Sequence, residues 1–144
     1  MVDTNLLVYA VNGAAPEHRR ARAFLESCRT GHEAWLATWS IFYEFLRVTT
    51  HVAVFPQPLS LAQAMTFWRS LRASDSFGLL EETERHEEIV SELARRHPDV
   101  RGNHVHDLHI VALMTEHGVR EIRTADADFH RFRSLRVVNP LLAD

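Results

Sequence analysis

Short apolar runs alternate with longer helical stretches along this chain, and that alternation restricts the fold more than any other feature of its sequence. Runs of three or four residues that fit strands occur at 1–3, 34–37, 77–80, 121–124 and 135–138. Between most of these runs, apolar residues recur at helical spacing. Strands that are joined through helices pair in parallel, because the connection must cross from one end of the sheet to the other. The sequence therefore predicts an α/β fold with a central parallel sheet.

Local signals predict where the helices begin and end. Ser60 and Gln63 form a capping box, Thr83 is expected to cap a later helix, and Gly118 is expected to end the next one. Cys28 falls on an apolar helix stripe and is predicted to be buried. The predicted helices cover Thr4–Ala10, a segment opened by Pro16, Trp39–Val48, a segment that follows Ser60, a segment from Thr83 to about His97, and His104–His117.

Length and composition favour an ordinary globular protein. A chain of 144 residues with 46% hydrophobic and 24% charged residues is the size of one domain with a core of its own. No apolar run is long enough to span a membrane and no leader segment is evident, so we expect a cytoplasmic protein. The single Cys28 excludes an internal disulfide and a multi-cysteine zinc site. The net charge of −3 does not by itself indicate a nucleic-acid-binding protein.

Two carboxylates project from faces of helices that are otherwise apolar. Glu44 lies within about 60° of Ile41 and Val48 on a helical wheel, and Asp107 lies within about 40° of Val111 and Met114. An isolated buried carboxylate is costly unless it is paired or binds a metal. Two such residues on separate helices therefore indicate that both reach one site.

Two further carboxylates follow predicted strands. Asp3 and Asp126 each come directly after a short apolar run, and ligands of open α/β sheets bind at the carboxyl ends of strands. Asp128 follows closely enough to join them. Taken singly, Asp3 fits a turn and Asp126 fits a helix N-cap equally well. Taken with Glu44 and Asp107 as a set of four, they favour a metal site.

The donor atoms of this set indicate the kind of metal. Carboxylate oxygens suit a hard cation such as Mg²⁺ or Mn²⁺ and do not suit zinc in a thiolate cage. Several carboxylates can hold two such ions about 3.5–4 Å apart, which is an arrangement used in phosphodiester hydrolysis. The predicted chemistry is therefore metal-dependent cleavage of a phosphodiester bond.

Four segments, in this order, resemble the PIN-domain ribonucleases and specifically the VapC toxins. Together they span essentially the whole chain, and it is their ordered combination that is specific. They are Val2–Ala10 (VDTNLLVYA), Ile41–Val48 (IFYEFLRV), Gly102–Asp107 (GNHVHD) with Glu116–Gly118, and Thr124–Phe129 (TADADF) with Asn139 and Pro140.

The resemblance implies a single PIN domain over residues 1–144, with three α/β/α layers around the parallel sheet, usually as a homodimer. It also implies a site. Asp3, Glu44, Asp107 and Asp126 would be the catalytic acids that coordinate Mg²⁺ or Mn²⁺, with Thr4, Asn5, Thr124 and Asp128 in support. One departure is that only Met1 and Val2 precede Asp3, where the family usually has more of a strand.

The activity implied by the resemblance is endonucleolytic cleavage of RNA, commonly tRNA, rRNA or mRNA. Such an enzyme is the toxin of a toxin–antitoxin pair, and a cognate VapB-like antitoxin blocks its site with a C-terminal segment. Its partners would therefore be RNA, the antitoxin and a second copy of the chain, with no membrane involved.

Two alternatives remain open at this point. His106 and Asp107 spell the pair used by HD-type phosphohydrolases, with His104 and His109 nearby; those proteins are all-helical, whereas strand-like runs surround Asp3 here. A catalytically silent PIN-like RNA-binding module is the other alternative, and the loss of an acid would favour it. On the helical wheel, His104 and His106 are expected to point in other directions than Asp107, at the polar start of the helix.

Overall fold

The computed structural model describes residues 1–142 as helices connected by short parallel strands. In chain order the elements are α1 (Thr4–Val11), α2 (His18–Thr30), β1 (Trp35–Thr38), α3 (Trp39–Thr49), α4 (Leu61–Arg72), β2 (Phe77–Leu80), α5 (His86–Arg96), α6 (His104–Glu116), β3 (Glu121–Arg123), a 3-10 helix (Ala127–Arg131) and β4 (Arg136–Val138).

The strands form two parallel pairs. β1 pairs with β2, and β3 pairs with β4. The first three residues of the chain lie between the pairs: the Val2 amide donates to the Leu36 carbonyl at 2.8 Å, and the Asp3 amide donates to the Arg123 carbonyl at 3.0 Å. The strands are therefore arranged in the order β2, β1, residues 1–3, β3, β4. The prediction of an α/β fold with parallel strands is confirmed.

The strand predicted for residues 1–3 is reduced to one bridge, between Val2 and Arg123. Helix α1 begins at Thr4 with Asp3 as its N-cap, so the ladder ends there. Even so, this segment is central, because its backbone bonds to β1 on one side and to β3 on the other. It places Asp3 in the middle of the strand order, at the edge of the sheet where the strands have their carboxyl ends.

Helix α6 is buried nearly all round. Leu108 and every residue from Ile110 to Met114 are buried, as expected for a helix that is apolar on all faces. With 13 residues it is shorter than the roughly 20 that a bilayer requires, and none of the helices within residues 1–142 is both long and apolar enough to cross a membrane. Asp107 lies in its first turn and is fixed in place by the packing of the turns that follow.

Of the three predicted caps, the capping box at Ser60 and the helix end at Gly118 are confirmed and the cap at Thr83 is wrong. Ser60 and Gln63 form the capping box of α4. Thr83 does not cap α5, which begins at His86. Its hydroxyl accepts from the Arg85 amide at 3.2 Å and donates to a carboxylate oxygen of Glu116, at the far end of α6, at 2.8 Å. This long-range contact cannot be inferred from local sequence. Cys28, predicted to be buried, is half-buried.

Gly118 follows α6 with a φ of +67°, a conformation that L side chains rarely adopt. A Cβ added there would meet no atom within 4 Å, so Gly118→Ala costs only backbone strain. We expect it to lower the free energy of unfolding in urea by about 1 kcal/mol. Gly13→Ala is the matched control, because a Cβ there is also free of contacts and no positive φ is required. Equal stabilities of the two variants would contradict a strained cap at Gly118.

Candidate functional site

The structure brings the four predicted acids to one cleft. Asp3 follows the central segment, Glu44 lies in the second turn of α3, Asp107 in the first turn of α6, and Asp126 just beyond β3. All four line a cavity of about 250 Å³. The cavity opens at the carboxyl ends of the parallel strands, where ligands of open α/β sheets bind. The rest of its lining is Thr4, Asn5, Val8, Tyr9 and Val48.

Asp3 is the most enclosed of the acids, with 6% of its surface exposed. One of its oxygens accepts from the Thr4 amide at 2.6 Å, and the other accepts from the Asn5 side chain at 2.7 Å and the Thr124 hydroxyl at 2.6 Å. The Asn5 amide nitrogen also donates to the Thr124 hydroxyl at 2.8 Å. These three residues, predicted as supporting residues, therefore hold the Asp3 carboxylate in one orientation.

Glu44 is joined to Asp3 through Thr4, whose hydroxyl donates to a Glu44 carboxylate oxygen at 3.0 Å. The same oxygen lies 3.1 Å from the His106 Nε2. That nitrogen has no well-aligned hydrogen bond, so the contact is mainly electrostatic. It lowers the pKa of Glu44 and raises the pKa of His106. Arg47 approaches the other oxygen of Glu44 at 3.5 Å and is mostly exposed.

Asp107 is contacted by a histidine of its own helix. The His104 Nδ1 lies 3.3 Å from an Asp107 oxygen and 3.6 Å from an Asp128 oxygen. The expectation that His104 points in another direction than Asp107 is therefore wrong, because residues three apart on a helix are neighbours. Asp128 itself is half exposed, at the rim of the cleft.

Asp126 has a structural contact as well as a place in the cleft. Its carboxylate accepts from the Asp128 amide at 2.8 Å and so caps the 3-10 helix. Its own amide donates to the Thr124 hydroxyl at 2.9 Å. The helix-cap alternative raised by the sequence is thus correct, and it is compatible with the second Asp126 oxygen serving the cleft.

The acids affect one another electrostatically. Burial raises the pKa of Asp3 from an ordinary 3.8 to about 6, and the charges of Glu44 and Asp107 add to that rise, against the hydrogen bonds from Thr124 and Thr4. Burial also raises the pKa of Asp107, helped by the charges of Asp126 and Glu44. A cluster of carboxylates in this state is stabilised by a cation placed among them. The electrostatics of the cleft therefore favour a bound cation.

The histidines are the members of the site whose contacts the sequence interpretation missed. His104 and His106 contact the carboxylates, and they line a second cavity of about 560 Å³ that continues the cleft past Asp107 and Asp126. The spacing of His104 and Asp107 could have revealed the first contact. Nothing local pairs His106 with Glu44, because that contact joins α6 to α3.

Comparisons with known proteins agree with this geometry. A family model described as PIN domain matches residues 1–135. Ribonuclease VapC37 of Mycobacterium tuberculosis (strain ATCC 25618 / H37Rv) is 32% identical over 140 residues, covering 97% of this chain and 96% of that protein. Ribonuclease VapC33 of the same strain is 34% identical over 142 residues, covering 96% of each. Among solved structures, VapBC2 from Rickettsia felis bound to a DNA fragment from its promoter shares the fold, with a TM-score of 0.69 over 96% of both chains and 17% identity.

The raised pKa of Asp3 predicts a pH-dependent stability. Between pH 4 and pH 6 the folded chain holds a proton on Asp3 that the unfolded chain releases, so raising the pH favours unfolding. Measured in EDTA, the free energy of unfolding of the wild type should fall by about 2 kcal/mol relative to Asp3→Asn between pH 4 and pH 7. The exposed Asp75→Asn serves as the control and should track the wild type. A difference between wild type and Asp3→Asn that stays constant with pH would contradict the raised pKa.

Proposed function

Because this chain belongs to the PIN-domain family, among the VapC ribonucleases, we propose that it is the toxin of a toxin–antitoxin pair. It is a hydrolase that acts on RNA. We propose further that it is an endoribonuclease that depends on Mg²⁺ or Mn²⁺, with residues 1–144 as one domain. The observation that carries this proposal is the convergence of Asp3, Glu44, Asp107 and Asp126 on one cleft.

The donor atoms of the cleft fit a hard divalent cation, since Asp3, Glu44, Asp107 and Asp126 offer only carboxylate oxygens. Among the ion pairs within residues 1–142, Arg47 is the one arginine that reaches any of the four, and it contacts only Glu44. Asp107 is otherwise approached only by His104, and Asp3 and Asp126 form no ion pair within those residues, so a cation is needed to balance the charge of the set. When bound, such a cation supplies Lewis acidity, which neutralises charge on a phosphate and activates water.

The residues of the cleft have two kinds of role in this proposal, ion binding and positioning. The four acids would hold the ion. Thr124 and Asn5 act as positioning residues, because they fix the Asp3 carboxylate, and Thr4 couples that carboxylate to Glu44. Thr4, Asn5 and Thr124 hold Asp3 in place before any ligand arrives. The four acids as a set must still draw together around an ion, because within residues 1–142 no three of them have ligand atoms within 4.8 Å of one another.

Positive charge at the rim of the cleft would receive the RNA. Contact with Glu44 raises the pKa of His106, which favours its cationic form, and Arg47 is exposed beside it. Arg101 lines the adjoining cavity together with His104. Phosphates are drawn to such groups even where the net charge of the protein is negative. The acidic cleft and its basic rim thus account for RNA binding by a chain of net charge −3.

The rim also offers a surface for an antitoxin. Tyr43 and Val105 are 66% and 52% exposed, and they line a groove of about 530 Å³ with Glu44, Arg47 and His106. A peptide seated there would bury the two apolar side chains and cover the entrance to the acids. We propose that this peptide is the C-terminal segment of a cognate VapB-like antitoxin. We also propose that the toxin acts in the cytoplasm, usually as a homodimer.

The alternatives differ in what they predict. An all-helical HD-type phosphohydrolase is excluded by the parallel strands and by the family. A silent RNA-binding module would keep the cleft and lack cleavage. Metal-dependent cleavage of RNA, lost in EDTA, separates the enzyme from the silent module.

Asp107→Asn tests the role of the cleft. Asparagine keeps the shape of Asp107 but is a poorer ligand for a hard cation, so cleavage of bulk tRNA in Mg²⁺ should fall by orders of magnitude. The substitution also removes repulsion from Asp126 and Glu44. Its free energy of unfolding in urea should therefore change by less than about 1 kcal/mol, in either direction.

Asp75→Asn is the matched control for this test, because Asp75 is exposed and lines neither cavity that contains the acids. It should cut RNA at the wild-type rate. Near wild-type cleavage by Asp107→Asn would show that Asp107 is not a metal ligand. Loss of folding in that variant would show instead that the carboxylate is structural.

The ends of the RNA products test the class of mechanism. Attack by water gives 5′-phosphate and 3′-hydroxyl ends, whereas attack by the neighbouring ribose hydroxyl, with histidine as acid and base, gives a 2′,3′-cyclic phosphate. His104 and His106 are engaged with the carboxylates Asp107 and Glu44, and the thiol of Cys28 is outside the cleft. We therefore expect 5′-phosphate ends, detected by labelling with and without phosphatase. Cyclic phosphate ends would overturn the metal-dependent mechanism.

A further inference from the structure

A second group of metal-ligating side chains lies where the segment after β2 meets α6. Glu82 precedes α5, His86 is the first residue of α5, and His109 lies on α6. One ligand atom of each lies within 4.8 Å of the others. Ligands of a tetrahedral site with bonds of about 2.0–2.1 Å are separated by roughly 3.4 Å. Small side-chain rotations would therefore bring all three atoms into one coordination shell.

The existing contacts already approach that arrangement. The His109 Nε2 lies 3.0 Å from a Glu82 carboxylate oxygen, close to the spacing of two ligands on one ion. The rings of His86 and His109 are 5.3 Å apart and nearly perpendicular. The two imidazoles come from different helices, so their approach is a feature of the tertiary structure.

His86 is oriented by a buried carboxylate. Its Nδ1 lies 2.5 Å from an oxygen of Glu116, whose side chain has no exposed surface. The other Glu116 oxygen accepts from the amide and the hydroxyl of Thr83 at 2.7 and 2.8 Å. A carboxylate beside one ring nitrogen keeps the proton there and leaves the other nitrogen free to bind a metal, as is common for metal-binding histidines. Glu116 and Thr83 thus supply an outer shell that prepares His86 as a ligand.

This group is separate from the acidic cleft in place and in chemistry. Glu82, His86 and His109 line neither of the two cavities that contain the four acids. Two imidazoles and one carboxylate favour borderline ions such as Zn²⁺ over Mg²⁺. The side chain of Glu82 is 54% exposed and that of His109 30%, so an ion can reach the group from solvent.

We propose that Glu82, His86 and His109 form a transition-metal site of the Zn²⁺ class, with Glu116 as the positioning residue of His86. Three protein ligands leave one position open to solvent or a further ligand. A bound ion would join the start of α5 to α6, the helix that carries Asp107. The site would therefore stabilise the fold and hold the acid-bearing helix against its neighbour.

Calorimetric titration with Zn²⁺ in saturating Mg²⁺ tests the proposal on the full chain. We expect one Zn²⁺ per chain in the wild type and a rise in its melting temperature. His86→Ala and His109→Ala should each weaken binding by more than about tenfold, and Glu116→Gln by about 10–100-fold. His32→Ala, an exposed histidine in the loop after α2, should bind like the wild type.

Asp126→Asn separates this site from the acidic cleft. If that substitution removes Zn²⁺ binding while the histidine variants retain it, the ion is held by the cleft and the proposal is wrong. Absence of Zn²⁺ binding by the wild type would also overturn it. Since the histidine variants can fail to fold, Co²⁺ is added to the wild type as well. Strong visible absorption of a four-coordinate ion is expected, and the weak absorption of an all-oxygen octahedral ion would contradict the site.

Discussion

The buried carboxylate of Asp3 is the interaction on which the rest of this structure depends. It receives hydrogen bonds from the first residue of α1, from the side chain of Asn5 and from Thr124, which is 121 residues away along the chain. Those bonds join the central segment, α1 and the end of β3 at one point. A carboxylate that is 6% exposed would be costly without them. The same bonds fix its orientation toward the cleft, so one group is both a structural anchor and a ligand in the proposed function.

This design leaves the cleft electrostatically unbalanced in the absence of a cation. Burial and neighbouring acids raise the pKa of Asp3 to about 6, whereas contact with His106 lowers the pKa of Glu44. The ionised form of Asp3 therefore depends more on a nearby cation than that of Glu44 does. The hydroxyl of Thr4 nevertheless couples the two residues. Functional sites commonly hold such like charges at some cost in stability, because the ligand relieves them.

Helix α6 connects the two metal-ligating groups of the molecule. Asp107 and His109 are two residues apart, which is about 200° around the helix axis, so they face different neighbours. Asp107 points to the acidic cleft, and His109 meets Glu82. Because the helix is packed on nearly every side between Leu108 and Met114, the two positions are held rigidly with respect to each other. Glu116, the last residue of the helix, contacts His86 and Thr83 and so holds the second group in place relative to the helix.

The sequence by itself determined the element order and the parallel pairing, because hydrophobic periodicity and residue type are local properties. It also singled out the four acids that the structure places in one cleft. It also determined the capping box at Ser60, whose two hydrogen bonds lie within four residues. Only the tertiary structure decided which groups face one another. Thr83 bonds to Glu116 rather than capping α5, and His106 meets Glu44 across two helices, because long-range packing sets these contacts. Asp126, for which the sequence left two alternatives, takes part in both the helix cap and the cleft, since its two carboxylate oxygens are free to serve different neighbours.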